Sequence, residues 1–255
     1  MATHARPSPG GDSPPSDRHA QPPRIYVLAG TNGAGKSSIG GATLRHHGTD
    51  YFNPDEAAAR IRAQQPQLSQ TQANSAAWHT GKRLLERAIA HRLSFAFETT
   101  LGGGSIVKLL EDAAQLGFEL WVWYVGLASA DEHIERVRNR VQRGGHDIPE
   151  TDIRRRFDRS RINLVRLIPR VSHLRVYDNT ATAAPHTGIA PLPRLLLHSQ
   201  DGVILGPQDL SRTPLWARAI VAAAMKRAES LTAAGRPAPE ADANPDRACG
   251  APPQP

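Results

Sequence analysis

The sequence predicts a three-layer α/β fold in which a central, mainly parallel sheet of five strands lies between helices. Three observations lead there. Short apolar runs alternate with amphipathic helical patterns between residues 25 and 178, the spacing of parallel strands joined by right-handed crossovers. The first run leads into a glycine-rich loop that opens a helix. Between residues 136 and 170, eleven arginines stand against four acids, on two helical patterns joined by Gly144 and Gly145.

Length and composition bound the organisation. The chain has 255 residues, one cysteine and a net charge of +7. Residues 1–22 and 231–255 are rich in Pro, Ser, Gly, Ala and charge without apolar periodicity, so both are expected to be disordered tails. Residues 23–230 suffice for one substantial core, a single domain whose arginine-rich helical lid spans about residues 136–165. Cys249 lies in a tail, which excludes disulfides and cysteine-held zinc and agrees with a reducing cytoplasm. The longest apolar run, around residues 120–128, is too short to span a bilayer, and the N-terminus lacks the apolar core of a signal peptide. The expectation is a soluble, cytoplasmic protein with no membrane partner.

The elements follow in order. The strand at 25–29 ends in Gly30-Thr31-Asn32-Gly33-Ala34-Gly35-Lys36-Ser37, which fits the phosphate-binding pattern G-x-x-x-x-G-K-[ST]. A loop that wraps a triphosphate aims successive N–H groups inward, which requires positive φ and no Cβ in the way. The helix expected at 38–46 turns the positive end of its dipole to the anion. Lys36 is expected at the β- and γ-phosphates and the Ser37 hydroxyl at Mg2+, with Ser38 closing the binding stretch. The three layers thereby become a P-loop NTPase or kinase fold that uses ATP and Mg2+.

At 51–56 a short strand runs into Asn53-Pro54-Asp55-Glu56. Asn53 and Pro54 start a helix whose dipole Asp55 complements. Equally, a carboxylate at this strand's carboxyl end lies in the ligand crevice of an open sheet, where Asp55 could take a hydroxyl proton. A helix at 70–92 carries Trp78 and His79 as packing residues. The strand at 94–97 ends in Glu98-Thr99-Thr100 before Leu101 and three glycines; these polar residues point into the crevice as substrate-binding candidates, unless Glu98 is a solvated strand end. Ser105 is expected to cap a helix to 116, closed by Gly117. Residues 118–127 read as a strand buried on both faces, and residues 129–132 as a capping box.

The two arginine helices suit a lid closing over phosphates, because a guanidinium makes planar bidentate contacts that lysine does not. Several arginines belong instead to a solvated helix face. A nucleic-acid surface is disfavoured, since stacking aromatics are missing from the segment apart from Phe157. Residues 173–178 form the fifth strand, 195–205 a hairpin around Asp201-Gly202, and 214–231 a terminal helix. The scattered histidines form no helical metal pair.

With these pieces placed, the chain resembles the zeta-toxin family of P-loop kinases, particularly its short, predicted-ATPase branch. The resemblance covers about residues 24–221 and rests on VLAGTNGAGKSS, FNPDE, FAFETTL, RVQRGGHDIPETDIRRRFDRSRINL and VYDNT in that order. It implies that Asp55 is the general base, that Glu98 is the substrate-side acid, and that Arg140, Arg156 and Arg159 are lid arginines facing the phosphates. It also implies transfer of the γ-phosphate of ATP to a hydroxyl. Toxic relatives phosphorylate UDP-N-acetylglucosamine and are paired with an antitoxin that occludes the nucleotide site. Two other classes stay open: a P-loop kinase or ATPase acting on another metabolite or on nucleic-acid ends, and a non-catalytic, nucleotide-gated binding module.

Overall fold

Strands that are apolar at odd and even positions alike must be covered on both faces, and the sheet is built to that rule. The computed structural model describes residues 21–39, 51–181 and 192–235. Most of both expected tails, Cys249, the stretch 40–46 read from the sequence as helix and the side chain of Ser38 lie outside this description. Five strands, β1 (Arg24–Ala29), β2 (Tyr51–Phe52), β3 (Phe95–Thr99), β4 (Glu119–Gly126) and β5 (His173–Asp178), pair in parallel in the order β2-β3-β1-β4-β5.

Among the described residues the sheet has seven strands rather than five. The expected hairpin, β6 (Arg194–Gln200) and β7 (Val203–Gly206), joins it by antiparallel pairing of β6 with β5. Its turn forms where Asp201 and Gly202 both take positive φ, 49° and 87°, the backbone of a two-residue turn that matches strand twist. The hairpin signal is local, whereas its docking depends on apolar Leu196 and Leu197 reaching the main core.

The helices are α1 (Lys36–Ile39), α2 (Pro54–Gln64), α3 (Gln70–Ala90), α4 (Gly104–Gln115), α5 (Ala130–Gln142), α6 (Glu150–Leu167) and α7 (Arg218–Ala233). Leu231, Thr232 and Ala233 continue α7, so the segment expected as a tail begins with helix. One face of the sheet, through Ile25, Val27, Phe97, Leu120, Val122 and Val176, packs on Leu85 of α3, Leu110 of α4, Leu164 of α6 and Ile220 of α7. The other carries Tyr26, Leu28, Ala96, Trp123 and Val125, joined by Ala34 of the glycine loop. Each fully buried leucine contributes about 2 kcal/mol through loss of apolar contact with water.

Caps explain where helices start and stop. Gly103, not Ser105, caps α4, with no side-chain bond, so Ser105 sits inside the first turn. At the other end Gly117, at φ 82°, lets Phe118 N donate to Ala113 O at 3.1 Å. Ser129 receives Glu132 N at 3.2 Å, while the Glu132 carboxylate takes Ala128 N at 3.0 Å, one residue earlier than in a reciprocal box. Among the described residues no helix is long and apolar enough to cross a membrane.

Candidate active site

The glycine loop is shaped by what presses on it. Gly30 has φ 142°, and a Cβ there would lie 2.1 Å from Val125 O on the neighbouring strand β4. Gly33 and Gly35, at φ 82° and 84°, take the left-handed conformation that glycine adopts without strain. Ala34 N donates to Thr31 O at 3.1 Å, folding the loop back before α1 begins at Lys36. Thr31, Asn32 and Ala34 are buried. The cradle is thus backbone, as wrapping of an anion requires.

Two carboxylates approach the loop, one from the end of β3 and one from the first turn of α2. Glu98, 7% exposed at the end of β3, receives the Ser37 hydroxyl at 3.0 Å, Asn53 Nδ2 at 3.2 Å and the Tyr51 hydroxyl, all on Oε1. It is therefore no solvated strand terminus. Because Ser37 donates its proton to Glu98, its oxygen lone pairs stay available to a cation, and the donor set fits the Mg2+ role expected of it. Asp55 lies in the first turn of α2 without capping it. Asn53 Oδ1 accepts Asp55 N at 2.8 Å and Glu56 N at 3.3 Å, so Asn53 does the capping and the Asp55 side chain is left to face the crevice. There it meets Arg140 Nη1 at 3.4 Å and His146 Nε2 at 3.6 Å.

Lys36 belongs to the same crevice. Burial lowers its pKa below the usual lysine value; the carboxylates of Glu98 and Asp55 oppose that shift, and the cations of Arg140 and Arg156 add to it. Thr99 and Thr100 are placed at the crevice but spend their hydroxyls on the backbone, accepting Leu101 N at 3.0 Å and Gly102 N at 3.4 Å. The turn they shape holds Leu101 buried at φ 54°, with its carbonyl taking Asn163 Nδ2 of α6 at 2.8 Å.

Most of the arginine segment is neutralised within the fold. Arg138 pairs with Glu150, Arg154 with Asp131, Arg155 with Asp152, Arg161 with Asp158, and Arg166 and Arg170 with the buried Glu111. Three arginines reach the crevice or its loop. Arg140 bridges Asp55 and the His146 carbonyl, the latter at 3.0 Å. Arg156 Nη1 donates to Asn32 Oδ1 at 2.9 Å, and Nη2 pairs with Asp152 at 3.2 Å. Arg136, which sequence reasoning left undistinguished among its neighbours, donates to Asn179 O at 2.5 Å. Arg159 is not drawn in and stays exposed on α6.

Residues with no catalytic signature complete the loop's support. Asn179 Nδ2 donates to Ala34 O at 2.8 Å and its amide N to Gly126 O at 2.9 Å, tying the loop to β4. His133 of α5 is 1% exposed, with Nδ1 2.8 Å from Asn32 O. A carbonyl only accepts, so Nδ1 carries the proton. Burial pushes the imidazole down to about 4; the Asn32 carbonyl opposes this, and Lys36, Arg136 and Arg161 add to it. His146 is likewise lowered by burial, with Asp55 and Asp147 opposing and Arg140 adding. A histidine in an amphipathic helix and one in a Gly-Gly loop carry no local signal of these contacts, which join residues far apart in the chain.

Comparison with known proteins places this arrangement among similar chains. A family profile described as zeta toxin matches residues 11–187. An uncharacterized protein of Haemophilus influenzae is 33% identical over 138 residues, which are 52% of this chain and 92% of that protein. Among solved structures, the AvrRxo1-ORF1:-ORF2 complex with ATP aligns with a TM-score of 0.54 at 14% identity, covering 72% of this chain and 60% of that one. A native crystal structure of the same complex aligns at 0.57 and 14% identity, over 83% of this chain and 74% of that one. At such identity the structural likeness establishes the fold.

Proposed function

The chain belongs to the zeta toxin family, and from that premise we propose that it is an ATP-dependent kinase passing the γ-phosphoryl group to a hydroxyl of a small acceptor, UDP-N-acetylglucosamine foremost. One observation carries the reading. The cations Lys36, Arg140 and Arg156 and the carboxylates Asp55 and Glu98 converge at the mouth of one backbone cradle. Phosphoryl transfer asks a protein for positioning and charge neutralisation more than for covalent chemistry, and this set offers both.

Residues 30–38 would hold the triphosphate through backbone N–H groups, and Lys36 would neutralise its β- and γ-oxygens. Ser37, with Glu98 behind it, would hold Mg2+, which when bound offsets phosphate charge. Arg140 and Arg156 would face the γ-phosphoryl group, with Arg159 arriving from the exposed side of α6. Asp55 orients the acceptor hydroxyl and takes its proton at a carboxylate oxygen as the new P–O bond forms and ADP leaves. Glu98, Thr99 and Thr100 border the acceptor. The partner that suits this site is an antitoxin protein covering the nucleotide crevice.

The test is mass spectrometry of UDP-N-acetylglucosamine incubated with ATP, Mg2+ and the protein, with Lys36→Ala as blank. A product heavier by one phosphoryl group and absent from the blank is expected. Consumption of ATP without that product would remove the acceptor and leave the kinase; no consumption with any hydroxyl acceptor would remove the kinase.

A further inference from the structure

Asn32 occupies an unspecified position of the phosphate-binding pattern, yet it is gripped from two sides. Its carbonyl accepts His133 Nδ1 of α5 at 2.8 Å, and its side-chain Oδ1 accepts Arg156 Nη1 of α6 at 2.9 Å. Both arginine-bearing helices are therefore tied to one residue of the glycine loop, which is itself 7% exposed. Arginine only donates, so the Asn32 atom facing it is the oxygen. Asp152 takes the other terminal nitrogen of Arg156 at 3.2 Å, and the stem of Arg156 passes over Gly102, where a Cβ would lie 3.0 Å from Cγ. Guanidinium has five N–H donors, and these two contacts use two of them. The rest have no partner among the described residues and can meet an anion in the cradle below.

We propose that Asn32 is the positioning residue for Arg156: its amide oxygen sets the guanidinium over the loop at the height of a third phosphate, and so sets the preference for nucleoside triphosphate over diphosphate. The inference rests on the kinase reading and adds to it a source of discrimination within the loop. The side-chain chemistry suits the task. An amide oxygen holds a guanidinium without adding negative charge beside a polyphosphate, which an aspartate here would do. His133, neutral and buried, fixes the Asn32 backbone so that the side chain cannot drift with Arg156.

The experiment is a double-mutant cycle on nucleotide binding, using fluorescently labelled ATP and ADP with the full chain: wild type, Asn32→Ala, Arg156→Ala and the double variant, each checked by thermal melting. Each single substitution is expected to cut the ratio of ATP to ADP affinity by about tenfold, the weight of one charge-assisted hydrogen bond, with the double variant no worse than Arg156→Ala alone. General damage to the loop would weaken both nucleotides together and leave the ratio unmoved, which would overturn the positioning role. So would losses that multiply in the double variant. If Asn32→Ala does not fold, Asn32→Ser, whose hydroxyl stops short of Arg156, replaces it with the same expectation. A wild type that binds neither nucleotide would instead overturn the kinase reading, and this inference with it.

Discussion

Replacing His133 by asparagine removes a proton-binding site while keeping a donor close to where the imidazole Nδ1–H stood, so the bond to the Asn32 carbonyl is retained. The magnitude follows from the burial of the ring. In the unfolded chain the imidazole titrates near the ordinary 6.5, and in the fold it titrates at about 4. As pH falls below 6.5 the unfolded chain takes up a proton that the folded chain refuses, so stability is lost from there down to about pH 4. At about 1.4 kcal/mol per decade of proton affinity, the whole effect is about 3 kcal/mol, of which about 2 kcal/mol has gone by pH 5. Urea unfolding followed by tryptophan fluorescence at pH 7.5 and pH 5 reads it directly. Wild type is expected to lose about 2 kcal/mol more than His133→Asn over that interval, since contributions from other histidines cancel in the comparison. Equal losses would mean that the imidazole is not held neutral, and its place as a brace beneath the loop would have to be given up.

Three further outcomes are expected. Gly30→Ala puts a Cβ 2.1 Å from Val125 O at a φ of 142°, so it is expected to lose more than about 3 kcal/mol in denaturant melts and to abolish ATP binding; wild-type stability would mean that β4 yields easily. Asp55→Asn keeps the Asn53 cap and is expected to leave circular dichroism unchanged while turnover falls about 10²–10⁴-fold. Near-normal turnover would return Asp55 to a dipole-complementing role. Glu98→Gln retains an acceptor for the Ser37 hydroxyl but removes a charge, and the Mg2+ concentration for half-maximal activity is expected to rise about tenfold. An unchanged Mg2+ requirement with a raised acceptor KM would put Glu98 wholly on the acceptor side.

What could be read from the chain was whatever is local. The glycine loop, the strand ends at Asp55 and Glu98 and the Asp201-Gly202 turn all depend on neighbours within a few residues. Contacts across long separations were not legible: His133 lies 101 residues from Asn32, and Asn179 lies 145 from Ala34. The arginine segment teaches the same lesson. Its charge is plain in the sequence, but the acids that neutralise Arg154 and Arg166, Asp131 and Glu111, stand on other helices, so counting charge within the segment overstated the cation left for an anion. Arg159 was grouped with Arg140 and Arg156 by resemblance, yet only the latter two are aimed into the crevice by partners of their own. The stretch at Asn53 was ambiguous because its cap and its carboxylate are different residues two positions apart, and only the cap is decided by local hydrogen bonds.

The order of the strands also governs how this chain behaves in a crowded solution. Within β4 the stretch after Glu119, LWVWYVG, is the kind of apolar, uncharged run that recruits copies of itself into fibrils. It lies in the middle of the sheet, hydrogen-bonded to β1 on one side and β5 on the other. Among the described residues the strands left at the margins are β2, with two residues, and β7, with four. Neither offers a ladder long enough to template an incoming strand. The hazard is thereby confined to the interval before β4 has found β1 and β5, so protein that aggregates on expression or heating will have done so from the unfolded chain and not by stacking of finished molecules.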